Sequence, residues 1–154
     1  MDLAKTDILK EMERLRKQTA SDFAGLGWLD PAIRRVAWRF AIGSISRRTP
    51  NMTQRPHLGL MGTAVRSGRL AVFDPASPGA ERARQDDPVL LAEGLAAAVF
   101  VPIEQAGSIT GVLLLGRRTT LDYRSEEHAT MTAAARRLAE LASRWNVKLE
   151  SMLE

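Results

Sequence analysis

Cysteine is absent from this 154-residue chain. That removes disulfides, thiolate metal centres, a cysteine nucleophile and any thioether-linked chromophore. Histidine is nearly absent as well: His57 and His128 stand far apart in sequence, a poor basis for a metal site. No apolar run approaches the roughly 20 residues that span a bilayer. The opening stretch MDLAKTDILKEMERLRKQ mixes charge with apolar residues, unlike a signal peptide or an anchor. The expectation is a cytoplasmic protein with no membrane partner. Lysine is scarce, 4 against 18 arginines, within a net charge of +4. The arginine pairs Arg34-Arg35, Arg47-Arg48, Arg117-Arg118 and Arg136-Arg137 fall in different segments. Dispersal of that kind suits solvated faces better than a nucleic-acid surface.

What is present is ordinary globular material, 45% apolar and 26% charged, in a length suited to one domain with a real core. Leu3, Ile8, Leu9, Met12 and Leu15 recur at helical spacing, which predicts an amphipathic helix over residues 3–20. FAGLGWL and IRRVAWRFAIG read as two antiparallel strands around Asp30-Pro31, with Val36, Trp38, Phe40 and Ile42 expected on one face. Residues 43–58 carry two prolines and many polar groups and read as a loop, as does the polar ASPGAERARQDD. RLAVFD reads as a strand closed by Asp74-Pro75, and PVLLAEGL as a short helix that Asp86 or Asp87 can cap. AAAVFVPI and SITGVLLLG read as strands joined at Gly107. From Ser125, Met131, Ala134, Leu138, Leu141, Trp145, Leu149 and Met152 mark a long final helix. The expected organisation is one domain over 1–154: an N-terminal helix to residue 21, sheet and pocket over 22–124, and a C-terminal helix over 125–154.

One stretch stands apart. GLMGTAVRSGRLAVFD starts on Gly59 and offers only backbone from Gly59 through Gly62 before a short helix that Gly68 can end. Groups of that kind bind something small and carry no catalytic side chain.

The element order, with GLMGTAVRSGRLAVFD before the middle strand and VFVPIEQAGSITGVLLLGRR after it, resembles the GAF domain family. The resemblance covers about Asp22 to Trp145. It implies an α+β fold with a central antiparallel sheet, the terminal helices on one face and a ligand pocket on the other. The branch that reduces methionine sulfoxide needs catalytic cysteines, bilin carriers usually need one for attachment, and the Asn-Lys-x-Phe-Asp-Glu pattern of cyclic-nucleotide binders is missing. WRFAIGSISRR, GLMGTAVRSGR and DPVLLAEGLAAAVFVPI are similar to the stand-alone GAF nitrate receptors of Nre-type regulatory systems. Those work beside an oxygen-sensing histidine kinase and its response regulator. The resemblance implies nitrate held by backbone amides beneath an indole, at positions matching Leu60, Met61, Val89 and Trp38. It departs at Asp87, where an aromatic residue is expected before the proline; a carboxylate there opposes an anion.

The physics of such a site is plain. Helix starts leave N–H groups without partners and carry a partial positive charge, so an anion can be held without a basic side chain. Starts at Leu60-Met61 and at Pro88, Val89 and Leu90 are expected to converge over Trp38, with apolar neighbours excluding water. A weakly hydrated planar ion such as nitrate suits that pocket. The expected partners are this small ligand, a sensor histidine kinase and a second copy of the chain met through the terminal helices; no metal or other cofactor is expected. Two rival classes remain. An enzyme would need a polar constellation, and Asp87, Glu93, His57 and Arg55 form no recognised one. A GAF-type effector or interaction module with another ligand, linked to transcription, is the other.

Overall fold

The apolar stripe of the N-terminal segment forms α1 (Leu3–Gln18), which buries Ile8, Met12 and Leu15. A computed structural model of the chain describes the backbone of residues 3–153 and the side chains of residues 3–144. After α1 come β1 (Phe23–Asp30), β2 (Arg35–Ile42), a single 3-10 turn (Thr49–Asn51) and the two-residue β3 (Thr53–Gln54). Next are α2 (Gly59–Ser67), β4 (Ala71–Phe73), α3 (Ala80–Asp86), α4 (Pro88–Ala92), β5 (Ala97–Gln105), β6 (Ser108–Arg117) and α5 (Ser125–Leu153). The strands make one six-stranded sheet in the order β3-β2-β1-β6-β5-β4. All of its pairings are antiparallel.

Each face of the sheet carries its own core. On one, α1 and α5 bury Ile8, Met12, Met131, Ala134 and Leu138 against Leu26, Val99, Val101, Leu113 and Leu115. On the other, α2, α3 and α4 cover Val36, Trp38, Phe73, Phe100, Val112 and Leu114 with Met61, Ala80, Val89 and Leu90. The alternation of Leu113 and Leu115 with Val112 and Leu114 is the period of two that sends successive side chains to opposite faces. This is the GAF-like arrangement that the sequence suggested. Trp145, Leu149 and Met152, which continue the spacing of α5, lie outside the described side chains. Among the described residues no helix is long and apolar enough to cross a membrane.

Three sequence expectations change. Val36, Trp38, Phe40 and Ile42 do not share a face, because the β1–β2 register jumps from Leu26↔Phe40 to Gly27↔Trp38. Arg39 is the extra residue of a β-bulge, which reverses the alternation beyond it. Val36 and Trp38 therefore join the core under α2 and α4, while Phe40 and Ile42 join the core under α1 and α5. The polar stretch after β4 holds α3, whose Ala80 alone is buried, so no apolar period announces it. The loop over 43–58 contains the 3-10 turn and β3, a strand that pairs Gln54 with Val36 and Thr53 with Ala37.

Candidate anion site at the start of α2

Gly59 begins α2 at φ +67°, a left-handed conformation that glycine adopts freely. The first helical bond runs from the Gly62 amide to the Leu58 carbonyl at 2.8 Å, so the amides before Gly62 must find partners elsewhere. Leu58, the residue at the cap position, supplies no side-chain bond. Asp87 does, from 27 positions further along the chain. Its Oδ2 accepts from the Leu60 amide at 2.8 Å and its Oδ1 from the Met61 amide at 3.3 Å. Gln54 of β3 completes the set, donating from Nε2 to Oδ1 at 2.6 Å. Asp87 is fully buried, at 0% exposure.

The two glycines of the opening motif now have physical reasons. A Cβ on Gly59 would lie 2.3 Å from Asp87 Oδ2, and one on Gly62 would lie 2.4 Å from the His57 carbonyl carbon. The first glycine admits the carboxylate, and the second lets α2 close against the chain that precedes it.

The electrostatics of Asp87 are a contest. Burial pushes its carboxyl up, the bonds from Gln54, Leu60 and Met61 pull it down, and neighbouring Asp86 adds to the rise; the net direction is upward. Two polar atoms in the same region are buried without a hydrogen-bond partner: Trp38 Nε1 and Gln54 Oε1. On the solvent side lies a 190 Å³ cavity lined by Arg35, Thr53, Gln54, Arg55, Leu58, Gln85, Asp86 and Pro88. Its wall includes both chain neighbours of Asp87 and the glutamine that binds it.

The five residues assigned to the site from sequence lie on one side of the sheet. Trp38, Met61, Val89 and Leu90 are buried in one core, and Leu60 packs against it half-buried. The start of α4 contributes less than the sequence suggested, since the Leu90 amide is already bonded to the Asp87 carbonyl at 3.0 Å. Asp87 takes a role that sequence reasoning did not assign it. It was expected to cap the helix that follows it, or to stand near an anion and oppose it. Instead its side chain makes no bond to α4 and fills the amide cradle of α2. Gln54 was missed altogether, because a single glutamine between two prolines gives no periodic or motif signal.

Glu93, the other buried carboxylate, serves a separate end. It accepts from Ser44 Oγ at 2.6 Å, the Ile45 amide at 2.9 Å, Thr49 Oγ1, and Arg118 Nη2 at 3.0 Å. These bonds pin the loop over 43–51 to the end of α4. Burial pushes the Glu93 carboxyl up, but the bonds from Ser44, Thr49 and Ile45 and the Arg118 charge outweigh it, and the net direction is down. A carboxyl held low in the folded state contributes stability above its unfolded value of 4.5 and loses it as pH falls through the folded one. Glu93→Gln is therefore expected to cost about 1–3 kcal/mol at pH 7, and the cost should shrink as pH drops below 4.5. Urea unfolding at pH 7 and at pH 3.5 to 4 checks this; a pH-independent cost would show that the charge is not what holds the loop.

The comparisons with known proteins follow the same lines. Residues 8–141 match the GAF domain model. A structure of a Staphylococcus aureus NreA protein mutated in its nitrate binding site is 26% identical, with a TM-score of 0.67, over 75% of this chain and 88% of that one. A GAF domain/HD domain protein from Geobacter sulfurreducens is 18% identical, with a TM-score of 0.74, over 92% of this chain and 93% of that one. A type II free methionine-R-sulfoxide reductase from Thermoplasma acidophilum is 16% identical, with a TM-score of 0.70, over 90% and 91%. At such identities the last two speak for the fold alone, and the reductase is a reminder that this fold also hosts enzymes. No curated protein matches the chain. With most of its length matched by the family model and both faces of the sheet built as described, the chain belongs to the GAF domain family.

Proposed function

We propose that this GAF domain is a sensor of a small monovalent anion, nitrate above all, which binds the Leu60 and Met61 amides beneath Trp38 and alters the hold of a partner histidine kinase. One observation carries the reading: two adjacent amides at the start of α2 already converge on a negatively charged group, with no basic side chain bonded to it. Similarity to NreA, a protein with a nitrate binding site, supports nitrate as the ion. The cavity beside Asp87 supports it further, because Arg35 and Arg55 give its wall a positive charge that favours an approaching anion.

The site holds no recognised catalytic arrangement, so the reading is of binding without turnover, and the message leaves through a protein surface. The terminal helices are the proposed output, as the contact with the kinase and with a second copy of the chain. At 1.5 Å per residue α5 is about 43 Å long, against about 33 Å for the ten residues of β6. α5 is thus longer than β6, the longest strand of the sheet.

Titration with nitrate, nitrite and iodide in chloride-free buffer is expected to raise the melting temperature saturably for at least one ion, since a ligand that binds only the folded state stabilises it. Leu60→Pro removes one amide in the first turn, where proline is tolerated, and is expected to weaken that binding in a folded protein. Unchanged affinity on making this change in an Asp87→Ala background, where no carboxylate competes for the amide, would exclude the amide as a ligand. The output is checked by light scattering and by pull-down of any histidine kinase encoded nearby, with and without nitrate. A strict monomer that ignores the kinase in both states would overturn that part.

A further inference from the structure

We infer that Asp87 is the domain's own ligand: a free anion reaches the α2 amides only by displacing this carboxylate, and the displacement takes up a proton. The inference rests on the anion reading above and names the regulation of that site. Its basis is geometric. The carboxylate bridges the two amides that a bound anion would need, with Oδ2 on Leu60 and Oδ1 on Met61. It is shut inside the fold and lies against a glycine that has no room for a side chain. Two negative charges cannot share those amides in a buried place, so occupancy by one excludes the other.

Gln54 provides for the proton. Its Nε2 serves the ionised carboxylate, while its Oε1 is 3% exposed as part of the residue and has no hydrogen-bond donor. A protonated Asp87 has an O–H to donate, and a half-turn of the Gln54 amide brings Oε1 to accept it. The neutral pair then exchanges the bond from Nε2 for one from the carboxyl O–H to Oε1, while the proton comes from solvent. Burial already favours the neutral carboxyl. Nitrate stays ionised throughout the accessible pH range, so acid weakens the internal ligand and spares the external one. Apparent affinity equals the intrinsic affinity reduced by the fraction of molecules whose cradle is open. It should therefore rise as pH falls.

Four charged or titratable groups around Asp87, namely Asp86, Arg35, Arg55 and His57, must be separated from it. Asp86 precedes it and is paired with Arg82 at 3.0 Å. Arg35 and Arg55 line the adjoining cavity, and His57 stands just ahead of α2. A variant that leaves all four groups in place and neutralises only Asp87 tells them apart.

Asp87→Asn is that variant. An asparagine can accept from the Leu60 amide through its one oxygen and donate from its nitrogen to Gln54 Oε1, so the fold is expected to survive; Asp87→Ala serves as a second variant. Calorimetry with potassium nitrate and potassium iodide should give affinity at pH 7 higher by about tenfold or more for Asp87→Asn than for the unaltered chain. The unaltered chain should bind more tightly toward pH 5, with a heat that varies with the ionisation enthalpy of the buffer, and Asp87→Asn should show neither effect. Equal affinity and equal pH profiles in the unaltered chain and both variants would overturn the internal ligand and leave the anion site standing. A pH profile retained in Asp87→Asn would move the proton to another group and also overturn it. No binding of either ion by any of the three chains would overturn the anion site itself, and the inference with it.

Discussion

Alanine at Arg117 is expected to cost about 3–5 kcal/mol of folding stability, which for a domain of this size lowers the melting temperature by about 10 °C. Arg117 ends β6 and is 4% exposed. Its Nε donates to the Ala20 carbonyl at 3.2 Å, and its Nη1 to the Leu121 and Asp122 carbonyls at 3.0 and 2.9 Å. Its Nη2 donates to the Thr19 carbonyl and to Glu127 Oε2, both at 2.6 Å. A guanidinium has five N–H donors, and each meets an acceptor. The same group lies 4.0 Å from the centroid of the Tyr123 ring, whose hydroxyl, pushed up to about 12 mainly by burial, bonds to Ser21 at 2.7 Å. One side chain thus fastens the end of α1, the loop after β6 and the first turn of α5. Truncation leaves four carbonyls and a carboxylate short of partners at once, and unmade buried bonds cost more than made ones gain. Arg117→Lys restores the charge with three donors in place of the planar fork and should fall between the two. Chemical unfolding of the three proteins decides the matter. A loss below about 1 kcal/mol for Arg117→Ala would show that solvent replaces these bonds freely.

The reach of the sequence follows from which interactions are local. α1, α5 and the strand pair β5–β6 were legible because each carries its own period of apolar residues. The bulge at Arg39 was not, since a strict alternation in RVAWRFAI gives no hint of an extra residue; it took the neighbouring strand to put Phe40 on the far face from Trp38. α3 was hidden for the opposite reason, its AERARQD having almost nothing to bury. The site divides in the same way. Gly59, Leu60 and Met61 were singled out because glycines before a short helix are a local feature that also carries the resemblance, and the aspartate was noticed as a departure from it. Its role was out of reach: a carboxylate beside Pro88 reads as the cap of its own helix, and nothing local says that it turns to cap one 27 residues earlier.

Gly59→Ala tests that long-range contact most directly, and its expected cost is about 2–5 kcal/mol. Two separate effects add to it. The left-handed backbone at φ +67° costs an ordinary residue about 1–2 kcal/mol. The new Cβ would stand 2.3 Å from Asp87 Oδ2, so the carboxylate must leave the amides, and losing buried bonds costs about 1–3 kcal/mol more. The second effect needs Asp87 and the first does not. In an Asp87→Ala background the clash is gone, and Gly59→Ala should cost only its backbone share, leaving a coupling of about 1–3 kcal/mol between the two positions. Gly62→Ala is the control, because its Cβ would meet the His57 carbonyl carbon at 2.4 Å, backbone that no change at Asp87 moves. Its cost should be the same in both backgrounds. Unfolding of the singles and doubles at pH 7 gives both cycles. Strict additivity for Gly59 and Asp87 would put the whole cost of Gly59→Ala in the backbone and remove the carboxylate from the start of α2; coupling at Gly59 with none at Gly62 places it there in solution.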